Sequence, residues 1–344
     1  MKFGIWTPLP HTIQHEERML QGVRNLTTQG AGAGEEDPSF AFARDIVTRA
    51  EDYGFDVTLV AERLLGPDLE SWVLASALAA CTRRIELMVA VHAGGILSPA
   101  MVAKMGASLD RISGGRVSVN VINGWWQQEL DQFGSQPWIE DPEARANRMS
   151  EFVDVISKMW QEPRVDYSGA YYSFTGAALP IRPVQAAGPR LYAAGRSHAS
   201  RRIVTQKCDC WFAEYSHHYT EYEKNMVQLG GEIARMKEEA ASHGRALDCG
   251  ISVHVIVADT MEAAMEKAAA LEAYGAQNTI AKIAANAMGP GLIGTPEVIA
   301  ERLSRYAALG VDLAMIKCSP MEEQLDRFAT EVMPLLRKTC PAAA

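Results

Sequence analysis

Excess positive charge is missing from this chain: 33 lysines and arginines stand against 42 aspartates and glutamates, for a net charge of −9. An acidic surface repels phosphate backbones and anionic headgroups, so no nucleic acid and no membrane is expected as a partner, and a small molecule is. Long apolar runs are missing too. No window approaches the roughly 18 apolar residues of a membrane span, and the start of the chain lacks the apolar core of a secretion signal, so a cytoplasmic location is expected. The third absence is a metal-binding cysteine pattern. Six cysteines are scattered, and the one close pair, Cys208 and Cys210, has neither CxxC spacing nor histidines in ligand register, so they read as structural thiols and no metal is expected.

What the chain does contain is an alternation of strand and helix patterns. Strands are predicted at residues 2–8, 57–62, 85–93, 116–122, 190–194, 210–215, 250–258 and 311–319, and a small extra one at 171–174. Helices are predicted between them, at 39–53, 69–81, 99–112, 145–160, 200–206, 219–243, 261–287, 296–308 and 321–337. No linker rich in proline, serine or charge interrupts the order, and most turns have the length of β/α connections. The economical arrangement is an α/β fold, a single (β/α)8 TIM barrel over residues 1–344 with insertions at the C-terminal face of the strands. Two segments exceed a normal loop, 11–38 and 277–291, and are expected to act as lids over the barrel mouth.

Barrel enzymes place their reacting groups at the C-terminal ends of the strands. Those ends carry His11, Glu62, His92, Asn120, the run Gly195, Arg196, Ser197, then Glu214, His254, and Lys317 with Cys318. The densest stretch is SGGRVSVNVINGWWQQE, where a strand delivers Asn120, Asn123, Gly124, Trp125 and Trp126 in succession. Polar and aromatic groups bunched there fit a site, and they fit equally a buried strand followed by a loop with a packed tryptophan. Position, more than residue type, favours a site.

Five blocks in fixed order carry a resemblance: SLDRISGGRVSVNVINGWWQQEL, PRLYAAGRSHAS, ISVHVIVADTMEAA, LIGTPEVIAERL and ALGVDLAMI. Through them the chain resembles the bacterial luciferase-like flavin monooxygenases, in the branch holding alkanesulfonate, dimethylsulfone and pyrimidine monooxygenases. The resemblance implies a (β/α)8 barrel that takes reduced FMN from a separate NAD(P)H flavin reductase. It implies O2 chemistry on a small organic substrate through a flavin peroxide, and a homodimer or homotetramer. C–S cleavage, amide or ring oxygenation and Baeyer–Villiger insertion all fit.

Carried over by position, Gly195, Arg196 and Ser197 fall where the family grips the flavin phosphate, and a helix N-terminus with one arginine suits that anion. Asn120 and His92 fall where the family contacts the flavin ring and its oxygen-reacting face, so both are expected to be catalytic as well as cofactor-binding, and Glu129 matches an acidic cofactor position. His254 and His11 match histidines suited to moving protons, while Trp125, Trp126 and Glu62 are expected to face substrate. The alkanesulfonate enzymes have a cysteine where this chain reads Glu62 and Arg63, an arginine where it has Ser252, and a lid arginine where only Lys282 stands; these departures speak against a sulfonate. Many relatives also have an Arg-Tyr pair where this chain has Arg145 and Ala146. Two other readings share the barrel: a deazaflavin-dependent hydride-transfer oxidoreductase, and a non-catalytic flavin-binding barrel.

Overall fold

The structure, a computed structural model, describes residues 1–8, 32–65, 68–124, 127–195, 197–277 and 286–339. In chain order it begins β1 (Lys2–Trp6), α1 (Pro38–Tyr53), β2 (Val57–Val60), α2 (Ser71–Cys81), β3 (Glu86–His92), α3 (Pro99–Ser113), β4 (Val117–Ile122). It continues α4 (Gln127–Phe133), α5 (Pro142–Gln161), β5 (Val165–Ser168), β6 (Ser173–Ala177), β7 (Arg190–Ala194), α6 (His198–Lys207), β8 (Cys210–Ala213), α7 (Tyr222–Ser242). It closes β9 (Asp248–Val257), α8 (Met261–Gln277), β10 (Ile293–Gly294), α9 (Pro296–Ala308), β11 (Leu313–Cys318), α10 (Met321–Arg327) and α11 (Met333–Thr339). Each of the eight predicted principal strands is present, and the fold is the expected (β/α)8 barrel. No helix among the described residues is long and apolar enough to cross a membrane.

The chain forms two compact units. The first comprises Met1–Phe55, Ala213–Arg235 and Cys249–Ala344, and the second Asp56–Phe212 and Met236–Asp248. In the first, the strand order is β10-β9-β11-β1, all parallel, with Leu313 paired to both Gly250 and Lys2. In the second it is β2-β3-β4-β7-β8, again parallel. Strands buried on both faces read as near-continuous apolar runs, as CWFA of β8 does and VTLV of β2 does but for Thr58. β4 departs from this pattern. Val117, Val119 and Val121 give one face to the core, whereas Ser118 and Asn120 occupy the other.

Local chemistry fixes where the helices stop. Asp37 caps α1 by accepting from Ser39 N and Phe40 N, and Gly54 ends it with φ 88°, a conformation that side chains resist. The Gly-Gly turn closes α3 in the same way: Gly114 has φ 73° and Gly115 N–H donates to Asp110 O at 2.8 Å. Arg116 then staples this corner, donating to Ala79 O, Thr82 O, Thr82 Oγ1, Ile85 O and Ser113 O.

Three differences from the sequence reading have plain causes. The extra strand near 171–174 is half of an antiparallel hairpin, β5 with β6, whose first strand, VDYS, is too polar to read as one. Its turn is held by Glu151, which accepts from Ala170 N, Tyr171 N and Tyr172 N at 2.7–3.1 Å. The helix predicted at 219–243 opens as a 3-10 turn, Tyr219–Glu221, before α7 begins. Finally α4, seven residues long, is too short to show helical periodicity.

Candidate functional site

In the second unit, an ion cluster closes over the ends of β2 and β3. Glu62 accepts the backbone N–H of His92 at 2.8 Å and also bonds its ring Nδ1, which places a proton on Nδ1, since a carboxylate only accepts. Glu129, from α4, accepts from Leu64 N at 3.1 Å and Leu65 N at 3.4 Å through one oxygen, and from Arg63 Nη1 at 3.1 Å through the other. That second oxygen stands 3.9 Å from His92 Nε2. Glu62, His92 and Glu129 are each less than 5 % exposed, so this is an interior cluster and not a surface network. Burial pulls the Arg63 guanidinium below its ordinary pKa, against the opposing pull of Glu129.

The sequence thus brought forward three of these four residues as ring-facing, cofactor or substrate groups, and the structure gathers them around Arg63. Both oxygens of Glu129 are engaged by the loop after β2. These bonds tie Glu129 to that loop.

Asn120 lies one strand away. Register places Ala90 on one side of it and Tyr192 on the other. The Tyr192 hydroxyl donates to Glu86 Oε1 at 3.2 Å, whereas the buried Asn120 Oδ1 has no partner. An interior amide oxygen without a donor, beside a small alanine, fits a ligand that supplies an N–H. Beyond β7, Ser197 caps α6 by accepting from Ser200 N at 3.1 Å and exchanges a hydrogen bond with Ser200 Oγ at 2.9 Å. Gly195 runs so close to this turn that a Cβ there would come within 3.1 Å of Arg201 N. A bare backbone beside the amides of a helix N-terminus is the kind of cradle a phosphate takes. The unpaired Asn120 oxygen and this cradle together fit FMN. Arg196, Trp125, Trp126 and His11 lie outside the described residues.

Arg148 escaped the sequence reading. It is 1 % exposed on α5, donates through Nη1 to Pro137 O at 3.2 Å, and leaves Nε and Nη2 unpaired. Burial lowers its pKa, and a Cβ on Gly94 would stand 3.0 Å from Nη2. A charged residue in an amphipathic helix reads as solvated, so sequence carried no signal for it. Arg145, at the position of the family's Arg-Tyr pair, is committed to Ile139 O, Glu140 O and the face of Trp138.

In the first unit, His254 sits on β9 with its backbone N–H donated to Ala287 O at 2.7 Å. Its ring is 2 % exposed and neither ring nitrogen has a partner. Burial, helped by Lys317, pushes its pKa down to about 3, so the imidazole is neutral in any ordinary buffer. Of the segment expected to form the second lid, residues 278–285 lie outside the described residues, while 287–291 are buried. Asn225 Nδ2 donates to Gly289 O at 2.7 Å, and the Tyr215 ring lies against Gly289 with its hydroxyl on Ser252 O at 2.6 Å. Most of the first lid, residues 9–31, is likewise outside the described residues. Among the described residues no three His, Cys, Asp or Glu side chains are grouped to hold a metal ion.

Comparison with known proteins identifies the family and the fold. The family model for luciferase-like monooxygenases matches residues 1–313. An FMNH2-dependent dimethylsulfone monooxygenase of Pseudomonas putida is 29% identical over 332 residues, covering 86% of this chain and 88% of that protein. Two solved structures share the fold. A long-chain alkane monooxygenase superposes with TM-score 0.76 at 16% identity, covering 98% of this chain and 91% of the other. An F420-dependent secondary alcohol dehydrogenase superposes with TM-score 0.72 at 16% identity, covering 98% and 99%.

Proposed function

Because the chain belongs to the luciferase-like monooxygenase family, we propose that it is the oxygenase of a two-component system. It takes reduced FMN from a separate reductase and uses O2 to oxygenate a small organic molecule. The observation that carries this reading is the unpaired, buried Oδ1 of Asn120, set beside Ala90 in a chain that also keeps a bare phosphate cradle at Gly195 and Ser197. When bound there, reduced FMN supplies the electrons that activate O2.

The protein's own tasks follow from its residues. Asn120 accepts from the cofactor ring. Gly195 and Ser197 receive the phosphate, with Arg196 as its charged partner. The cluster of Glu62, Arg63, His92 and Glu129 fixes the loops over the strand ends and keeps that region free of loose water. In the first unit His254, neutral and enclosed, presents one ring nitrogen as donor and the other as acceptor to a substrate proton.

The test is an anaerobic titration with reduced FMN, followed by admission of O2 with a reductase present and product analysis on sulfones, sulfonates, amides and ketones. Saturable binding of reduced FMN and an O2-dependent product are expected. Turnover with a reduced deazaflavin in the absence of O2, or a preparation carrying stoichiometric oxidised FMN, would refute the reading.

A further inference from the structure

In the second unit, β4 sets a polar face beside the apolar Met88 and Ala90 of β3, and that face continues below Asn120. Register places Ser118 between Met88 and Arg190, and Asn120 between Ala90 and Tyr192. Side chains at paired positions of parallel strands, and at every second position along a strand, share a face. Glu86, Met88, Ala90, Ser118, Asn120 and Tyr192 therefore line one face. Leu87 pairs with Val117, so Glu86 stands level with Arg116. Tyr192 starts level with Asn120 and reaches down to Glu86, where its hydroxyl donates to Oε1 at 3.2 Å. The line between them crosses β4 at the level of Ser118.

Two atoms on this face are buried without a hydrogen-bond partner, Ser118 Oγ and Asn120 Oδ1, and Ser118 as a whole is 0% exposed. Native interiors leave few such groups, and each left over has a reason. Two residues of strand rise about 6.6 Å, too far for a direct bond and close to what two bonds through one water cover. The chemistry at this spot has a direction. Ser118 Oγ has a hydrogen to give, Asn120 Oδ1 only accepts, and Tyr192 Oη, whose own hydrogen goes to Glu86, is an acceptor as well. A water taking the hydrogen of Ser118 can give one each to Asn120 Oδ1 and Tyr192 Oη, and three bonds are what an interior water typically makes. Tyr192 is itself fixed: Arg190 Cζ lies 5.6 Å from the centre of its ring and the Phe212 ring 5.9 Å from it. Burial, with Glu86 adding to it, pushes the Tyr192 pKa up, so the hydroxyl keeps its hydrogen.

We infer that Ser118 is a positioning residue for Asn120, acting through one enclosed water that it shares with Asn120 Oδ1 and Tyr192 Oη. An asparagine amide can present either its oxygen or its NH2 to a neighbour. A flipped amide would meet the hydrogen of this water with hydrogens of its own and lose that bond. The oxygen is thereby held, and its second lone pair is left for the N–H of the cofactor ring. The inference rests on the cofactor role proposed for Asn120 and names the residue that prepares it.

A high-resolution X-ray structure of the ligand-free wild type is expected to show one ordered water within hydrogen-bond distance of Ser118 Oγ, Asn120 Oδ1 and Tyr192 Oη. Ser118→Ala removes the hydrogen that anchors this water, and its melting temperature is expected to fall. A serine that is simply stranded gives the opposite sign, because its removal relieves an unpaired buried hydroxyl. Ser118→Ala should also weaken reduced FMN about 3- to 10-fold in an anaerobic titration, the weight of one hydrogen bond. In an Asn120→Ala background the same substitution should change that affinity less than about 2-fold, since no amide is left to orient. A merely structural role of Ser118 predicts equal losses in both backgrounds. Equal losses, an unchanged affinity in Ser118→Ala, a melting temperature that rises, or no ordered water at this place would each overturn the proposal. Failure of the cofactor reading looks different, since wild-type protein would not bind reduced FMN at all; the positioning role then falls with it, while the water is still decided by the density and the melting temperature.

Discussion

Replacing Glu129 by glutamine asks what the buried ion cluster is for. Glu129 is 0% exposed and the Arg63 side chain 9%, so the pair is interior. A glutamine oxygen can still accept from Leu64 N and Leu65 N, but its amide presents N–H groups to a guanidinium that can only donate. Arg63 then loses the carboxylate it is bonded to, while the charges of Asp68 and Glu62 stay near it. Breaking one side of such a pair costs about 3–5 kcal/mol, and the backbone bonds that glutamine retains place the expectation near the lower end. Arg63→Met alone should cost a similar amount by stranding the carboxylate. The double variant should recover much of the loss, because neither charge is then left alone. Urea unfolding of the wild type, both single variants and the double at pH 7 gives the coupling directly. A loss below about 1 kcal/mol for Glu129→Gln, or losses that simply add in the double variant, would refute the reasoning. Reduced-FMN affinity measured on the same four proteins separates two roles. If Glu129 touches the cofactor, as the resemblance implies, the double variant stays weak for FMN after its stability has returned; if it only holds the loop, affinity returns with it.

His254 has a pKa of about 3 in the folded chain against 6.5 for an ordinary imidazole, so the unfolded chain takes up a proton first as pH falls. The stability due to its neutral burial is complete above pH 6.5 and is lost toward pH 3, with a slope of up to about 1.4 kcal/mol per pH unit. His254→Gln should flatten the pH dependence of the urea midpoint on the acid side, and parallel curves for the two proteins would reject the assignment. Gly289→Ala would set a Cβ 2.0 Å from Tyr215 Cδ2, on a ring pinned by its hydroxyl and a backbone pinned by Asn225, so a loss of about 1–3 kcal/mol is expected. Gly231→Ala is its control, since nothing lies within 4 Å there and the helix should gain about 0.5–1 kcal/mol; thermal unfolding that ranks the two variants the other way would show that the packing at Gly289 is misread.

Strand and helix patterns carried most of the fold in the sequence because parallel strands buried on both faces must be almost wholly apolar and helices must cap. What failed to show was structure made by polar contacts at a distance. β5 exists because Glu151, far along the chain, gathers three N–H groups at its turn, and no period in VDYS announces that. The site follows the same rule. His92, Asn120 and His254 were legible because a strand end predicts position, and the resemblance supplied Glu129. Arg63 appeared in the sequence only as a departure, and Ser118 as one small letter of a strand. Their importance lies in being buried and either mutually satisfied or left unpaired, which only the folded chain reveals.

The pairing of β1 also sets a timetable. Lys2 finds its ladder partner in Leu313, roughly 310 residues later, a separation that makes this contact slow to form. At about 5–20 residues per second, a ribosome needs some 15–60 seconds to deliver β11 after β1 has emerged. The second unit is drawn almost wholly from Asp56–Phe212, so most of its chain is available well before that. For much of its synthesis the chain therefore carries β1 with its β11 edge unmet, the state most open to capture by a chaperone or by another nascent strand. Synthesis interrupted before Leu313 leaves both β1 and β9 without the strand that lies between them.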